Sequence, residues 1–228
     1  MIVYSKSFVC LARSLRGAGY HIAGKEWRGN GPGPWFLPRA EGGRDFFHSW
    51  EMGCVTGETL DVLHIVSATF AADSGKPGRL LARDSRWRYL GRLAWSELTP
   101  WLDRPAGLWE NGHHSREGYN DLLPGKPKTA TPLLIRVQRL DLSVRCNGRG
   151  RPVIRGRFPC HDTLYDLEVT DSWLKESVCH AEPQKYSLLD PVICVDLEKD
   201  AGNRYRKVIT SVLFQRRFYH TRAAVLHL

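Results

Sequence analysis

The apolar residues of this chain fall in short, β-branched-rich runs bounded by glycine and proline, a punctuation that points to strands more than helices. Residues 7–12 (SFVCLA) form one such run, and 59–70 (TLDVLHIVSATF) form a longer, partly alternating one. In 133–145 (LLIRVQRLDLSVR) the stretch from Leu140 to Val144 alternates cleanly, as a half-buried strand does. Residues 151–158 (RPVIRGRF) and 163–169 (TLYDLEV) read as a hairpin across PCHD at 159–162, whose Pro and Asp are turn formers. Residues 192–197 (VICVDL) and 205–215 (YRKVITSVLFQ) read as a second pair joined through DAGN.

Helical candidates are few. Residues 95–103 (WSELTPWLD) could begin a turn, but Pro100 must sit in its first turn or break it. Residues 171–176 (DSWLKE) read as a short helix with Asp171 as N-cap. Glycine and proline cluster at 29–34, 41–43 and 74–78, which read as loops, and again at 123–132 (LPGKPKTATP). The last is polar, carries three prolines and lies near mid-chain, so it reads as a domain boundary. The expected architecture is all-β: two small Greek-key barrels in tandem, over residues 1–125 and 132–228, with few short helices. A length of 228 residues suits two domains of roughly 100 residues each.

Charge narrows the class of partner. Lys and Arg number 33 against 24 Asp and Glu, a formal net charge of +9. Such a balance favours polyanions. No run approaches the ~18 apolar residues that a membrane helix needs. The N-terminus reads as a strand rather than a signal peptide, so a cytoplasmic location with no membrane association is expected. The six cysteines form no C-x-x-C pair and are expected as free thiols, without a metal site.

The densest basic feature comprises Arg136, Arg139, Arg145, Arg149, Arg151, Arg155 and Arg157, with Asp141 as its one acid. Arg155 and Arg157 share a face if they lie on a strand. Arg149 and Arg151 flank a glycine loop. Arginine suits planar phosphate recognition and stacking on bases. A second cluster, Arg204, Tyr205, Arg206 and Lys207, interleaves cations with an aromatic ring, as single-stranded nucleic acid requires. Tyr205 would serve equally well as a core residue. Lys25 and Arg39 are the basic candidates of the N-terminal half. Gly19 to Lys25 imitates a phosphate-binding loop, but Glu26 stands where the magnesium-holding Ser or Thr belongs. His113 and His114, near Glu117 and Asp121, read as exposed residues of a polar loop. With no hydrolase or metalloprotease signature, neither an enzyme nor a cofactor is expected.

Several segments resemble the bacterial dual OB-containing domain family. They are FVCLARS near the N-terminus, AGKE at 23–26, PWFLPR at 34–39, LWENG at 108–112, GYND at 118–121, LLIR at 133–136, YDLEVTD at 165–171, and CVDL followed by YRKVI at 205–209. The resemblance implies tandem OB barrels and an association with bacterial defence or mobile-element systems, without implying a reaction or a set of binding residues. The leading expectation is a module that recognises single-stranded DNA or RNA, or duplex ends. The alternatives are a scaffold docking protein components of a defence complex, with Trp35, Trp87 and Trp101 as a contact patch, or a nucleotide sensor.

Overall fold

The computed structural model describes residues 2–215 apart from 18, 30, 74–75, 83–84, 128, 130, 147–151, 178–183 and 200–201. The chain divides into two compact units, Met1–Trp101 and Leu102–Leu228. Each is a β-sheet wrapped around its own apolar interior.

The first unit contains β1 (Ile2–Arg16), β2 (Gly19–Trp27), β3 (Pro32–Phe36), β4 (His64–Asp73), β5 (Lys76–Leu81) and β6 (Arg88–Arg92). Its strand order is β3-β2-β1-β4-β5, with β6 also paired to β4. One long strand organises it: residues 2–9 of β1 pair with β4, and residues 8–16 pair with β2. The register shifts between Cys10 and Ala12, the kind of bulge that bends a strand from one ladder into the next. Gly24 lies opposite Cys10, where a Cβ would overlap the Val9 carbonyl oxygen, so the close approach at the bend needs glycine. Phe8, Val9, Cys10 and Leu11 are all fully buried, which explains why the run is apolar without alternation. The interior is aromatic, with the Trp87 ring centroid 5.9 Å from Phe8 and 5.4 Å from Phe47. β3 and β5 carry the prolines of two segments that read as loops. Both lie at sheet edges, where a missing N–H is tolerated.

The second unit contains β7 (Leu133–Arg136), β8 (Arg139–Cys146), β9 (Pro152–Cys160), β10 (Thr163–Val169), α1 (Ser172–Ser177), β11 (Gln184–Leu189), β12 (Val192–Lys199) and β13 (Tyr205–Leu213). The order is β11-β8-β9-β10-β13-β12-β7. Only Val137 and Gln138 separate β7 from β8. Val137 N–H donates to the Pro191 carbonyl at 3.0 Å, and Asp190 N–H donates to the Gln138 carbonyl at 2.9 Å. The strand that ends the sheet therefore runs on into β8, and the sheet closes on itself. As with β1, one path serves two ladders, β7 on β12 and β8 on β9.

The hairpin across 159–162 forms as expected, with His161 at φ +50 in the turn. α1 also forms, capped by the Asp171 carboxylate, which accepts Leu174 N–H at 3.0 Å. Over 95–103 the outcome is instead two short 3-10 turns, Trp95–Glu97 and Thr99–Trp101, because Pro100 has no N–H with which to continue a helix.

The division between units falls after Trp101, not at 123–132. The intervening segment belongs to the second unit because it repairs a gap in the barrel. β10 and β13 run parallel and pair directly only at Glu168–Val208 and Val169–Ile209. Beyond that point Tyr119 pairs with Asp166 on β10, while Asp121 O accepts Lys207 N–H at 2.7 Å and Leu123 N–H donates to Tyr205 O at 2.9 Å on β13. Residues 119–123 thus complete the seam where the two strands diverge. Unpaired main-chain groups would otherwise face the interior.

Candidate nucleic-acid interface

On the second barrel the outward rows of the sheet are fixed by register. Asp141, Arg157 and Asp166 stand side by side on β8, β9 and β10, and Ser143, Arg155 and Glu168 form the next row. Arg157 is exposed and Arg155 is buried, although both point outward. The difference comes from the loop at 111–121, which lies over Arg155.

That loop is held by hydrogen bonds within itself and to β10 and β13. Asn111 Oδ1 accepts from Lys207 Nζ at 2.7 Å and from the Tyr165 hydroxyl at 2.9 Å. Asn120 Oδ1 accepts Gly112 N–H at 2.6 Å, and Asn120 Nδ2 donates to the Leu164 carbonyl at 2.8 Å. The Asp121 carboxylate accepts Ser115 N–H at 2.7 Å and the Ser115 hydroxyl at 2.5 Å. His114 Nδ1 accepts Asn120 N–H at 2.8 Å, which leaves the His114 ring stacked on Tyr119 with centroids 4.2 Å apart and planes at 12°. Tyr119 remains 49% exposed.

Between this loop and the β9–β10 turn lies an open cleft of about 890 Å³. Its lining includes His114, Arg116, Tyr119, Arg157, Asp162 and Asp166. Arg155 compensates the Asp166 charge, with Nε at 2.9 Å from Oδ1 and Nη2 on the Asp166 carbonyl. Burial alone would raise the Asp141 pKa, yet hydrogen bonds from Ser187 and Arg139 and the charges of Arg139 and Arg157 hold it below the usual carboxylate range. The face therefore stays charged in both signs at neutral pH.

The basic residues expected on a binding surface divide sharply. Arg145 and Arg157 are exposed on the β8–β9 face. Arg149 and Arg151 lie outside the described residues. Lys25, Arg155 and Lys207 are buried. Lys25 Nζ donates to the Trp101 carbonyl at 2.7 Å and lies over the Trp35 ring. Lys207 Nζ donates to Glu110 O, Asn111 Oδ1 and Asn120 O, and burial lowers its pKa to about 8 against the raising effect of Asp121. These three cations serve the fold, where an ammonium or guanidinium satisfies main-chain carbonyls. Arg206 is held between Glu168 at 2.8 Å and Glu198 at 3.1 Å. Burial opposes its charge, but the two carboxylates raise its pKa. Arg39 pairs with Asp45 at 2.9 Å in the first unit. Arg204 is exposed and Tyr205 half-buried, with Lys199 Nζ 5.9 Å from the Tyr205 ring centre.

The proposed contact patch is corrected too. Trp87 and Trp101 are buried, at 0% and 3%, and only Trp35 of the three is half-exposed. Asp121 is buried and tied to Ser115, so it offers no free carboxylate. The residues the charge pattern passed over are His114, Arg116 and Tyr119. Tyr119 belongs to GYND, while His114 and Arg116 lie in the polar stretch 113–117 that joins LWENG to GYND.

Among the described residues, no cluster of three His, Cys, Asp or Glu side chains could hold a metal ion, and no helix is long and apolar enough to cross a membrane. No curated protein matches the chain in sequence. The family model described as the dual OB-containing domain matches residues 6–223, nearly the whole chain, and the protein belongs to that family.

Proposed function

We propose that this protein is a cytoplasmic nucleic-acid-binding module that recognises single strands or duplex ends and acts by binding, without turnover. The observation that carries this reading is the exposed His114–Tyr119 ring pair in a cleft flanked by Arg116 and Arg157. It lies on the β9–β10 face, which corresponds to the sheet face through which OB barrels engage oligonucleotides. The rings offer stacking surface to bases, and Arg145 and Arg157 track phosphates along the adjoining strands. Carboxylates at Glu117 and Asp162 line the same cleft, and they suit base amino groups rather than phosphates. The net charge of +9 favours the encounter. Anisotropy titration with labelled oligonucleotides tests the reading. Binding that weakens steeply with salt is expected, and absence of binding at low salt overturns it.

A second reading, capture of a free nucleotide, is favoured by the cleft volume, which falls within the range typical of small-molecule sites. A rise in melting temperature with mononucleotides but not with oligonucleotides would select it. The sequence resemblance supports a place in a bacterial defence or mobile-element system. Co-purification with the products of neighbouring genes tests that context, and protein components of such a complex are the expected partners.

A further inference from the structure

The first barrel carries an aromatic feature that the cleft does not use. Residues 46–48 lie beside the start of β2, where Tyr20 and Phe47 exchange main-chain hydrogen bonds at 2.8 Å in both directions. In an extended segment alternate side chains face opposite ways. Phe47 points into the core against Trp87, while Phe46 and His48 stay half-exposed. The result is a row of rings, His21–Phe46–His48–Trp50, with successive centroids 6.3, 5.4 and 5.7 Å apart and planes at 48°, 85° and 18°, so that the last two rings are the parallel pair. Trp50 ends the row. It is 76% exposed and stacked on His48 at 18°, leaving its outer face to solvent.

This exposed tryptophan sits on a fixed support. Its 3-10 turn, Ser49–Met52, is anchored by Glu51, whose carboxylate takes a two-point bond from Arg44 at 2.7 and 3.1 Å and His48 N–H at 2.7 Å. Trp87 Nε1 donates to the Glu51 carbonyl at 2.9 Å, and Met52 is buried. Arg44 in turn lies over the Phe46 ring at 5.4 Å. A large ring carried on an anchored turn and stacked on a neighbour has less freedom left to lose on binding.

We infer that Trp50, backed by the parallel ring of His48, is a stacking platform for a base of single-stranded nucleic acid, a second contact site on the first barrel that rests on the nucleic-acid reading above. Two of the four rings are imidazoles, the Arg44 guanidinium lies over Phe46, and Trp50 presents the open face. The site therefore fits flat, sequence-tolerant base stacking better than the broad apolar centre of a protein interface.

The test compares full-length protein with Trp50→Ala and Trp50→Phe, using a labelled single-stranded oligonucleotide and a matched strand of abasic residues. Trp50→Ala is expected to weaken binding of the base-bearing strand about 5- to 100-fold. The slope of affinity against salt should not change, because the ring carries no charge. Trp50→Phe should recover part of the loss, and the abasic strand should bind all three proteins alike. Equal affinity of wild type and Trp50→Ala for the base-bearing strand overturns the platform and leaves the cleft reading standing. It would redirect the ring row to a protein partner. Failure of the wild type to bind any strand overturns both. Equal loss for both strands marks a merely structural role and also overturns the platform.

Discussion

The Lys207 ammonium lies 2.9 Å from the carbonyl oxygen of Asn120, joining a buried strand of the second barrel to the loop that lines the cleft. The same ammonium reaches Glu110 O and Asn111 Oδ1, both at 2.7 Å. Three acceptors from residues 110–120 thus converge on a single cation, at the two ends of the loop that carries His114, Arg116 and Tyr119.

Stability should therefore depend on pH through Lys207. Burial lowers its pKa to about 8 in the folded protein, from 10.5 for the free side chain. Below pH 8 both folded and unfolded chains carry the proton, and the cost of burying the charge is felt in full. Between these pKa values the unfolded chain binds more protons, so this group's contribution to stability rises with pH, by up to about 3 kcal/mol. It is lost again as pH falls through 8. Denaturation of wild type and Lys207→Met from pH 7 to 10.5 isolates the effect, because Tyr165 and the thiols titrate in both proteins. Parallel curves would refute it.

Gly118 tests the covering loop from the other side. A Cβ there would overlap the Asp121 carboxylate and press on the Arg155 guanidinium. Both groups are fixed, Asp121 by Ser115 and Arg155 by Asp166. Gly118→Ala should cost about 1–3 kcal/mol and weaken oligonucleotide binding by displacing Tyr119. Urea denaturation and anisotropy on the same variant measure the two effects. An unchanged midpoint would mean that the loop yields freely.

Lys207 and Arg155 mark how far the sequence can be read. β1, β4, the paired strands at 151–169 and 192–213, the turn at 159–162 and the cap at Asp171 are legible because periodicity, turn chemistry and capping act locally, whereas β3 and β5 read as loops and β2, β6 and β11 carry no clear signal. Lys207 and Arg155 looked like surface charge because burial depends on which loop lies above a strand. The covering loop pairs through isolated bridges that have no period to detect. Residues 123–132 are rich in proline and glycine, yet they continue a segment committed to β13 and not a linker between domains. One local clue was present: Lys207 opens the apolar run KVITSVLF, and a strand buried on both faces places any charge within it inside.

Arg155 and Arg157 lie two residues apart on one strand and should fail in different ways. Arg157→Ala is expected to leave the melting temperature nearly unchanged, to weaken oligonucleotide binding and to reduce the salt slope by about 1. Arg155→Ala leaves Asp166 without its partner beneath the loop and should cost about 2–4 kcal/mol of stability. Thermal melts alongside salt-dependent titrations separate the two. A stable Arg155→Ala with a reduced salt slope would move Arg155 into the binding surface.

Asp171 joins the helix to the barrel. Its Oδ1 caps α1 through Leu174 N–H at 3.0 Å, and its Oδ2 accepts Val212 N–H from β13 at 2.8 Å. The residue is fully buried, so water cannot replace either bond. Asp171→Asn keeps one acceptor but can turn an amide N–H toward a donor, at a cost of about 1–3 kcal/mol. Asp171→Ala removes both acceptors and should cost about 2–4 kcal/mol, since it combines a lost cap with a buried unpaired N–H. Hydrogen exchange should quicken at Leu174 and Val212 together in Asp171→Ala. Exchange that quickens at Leu174 alone would show that β13 holds its register without the carboxylate.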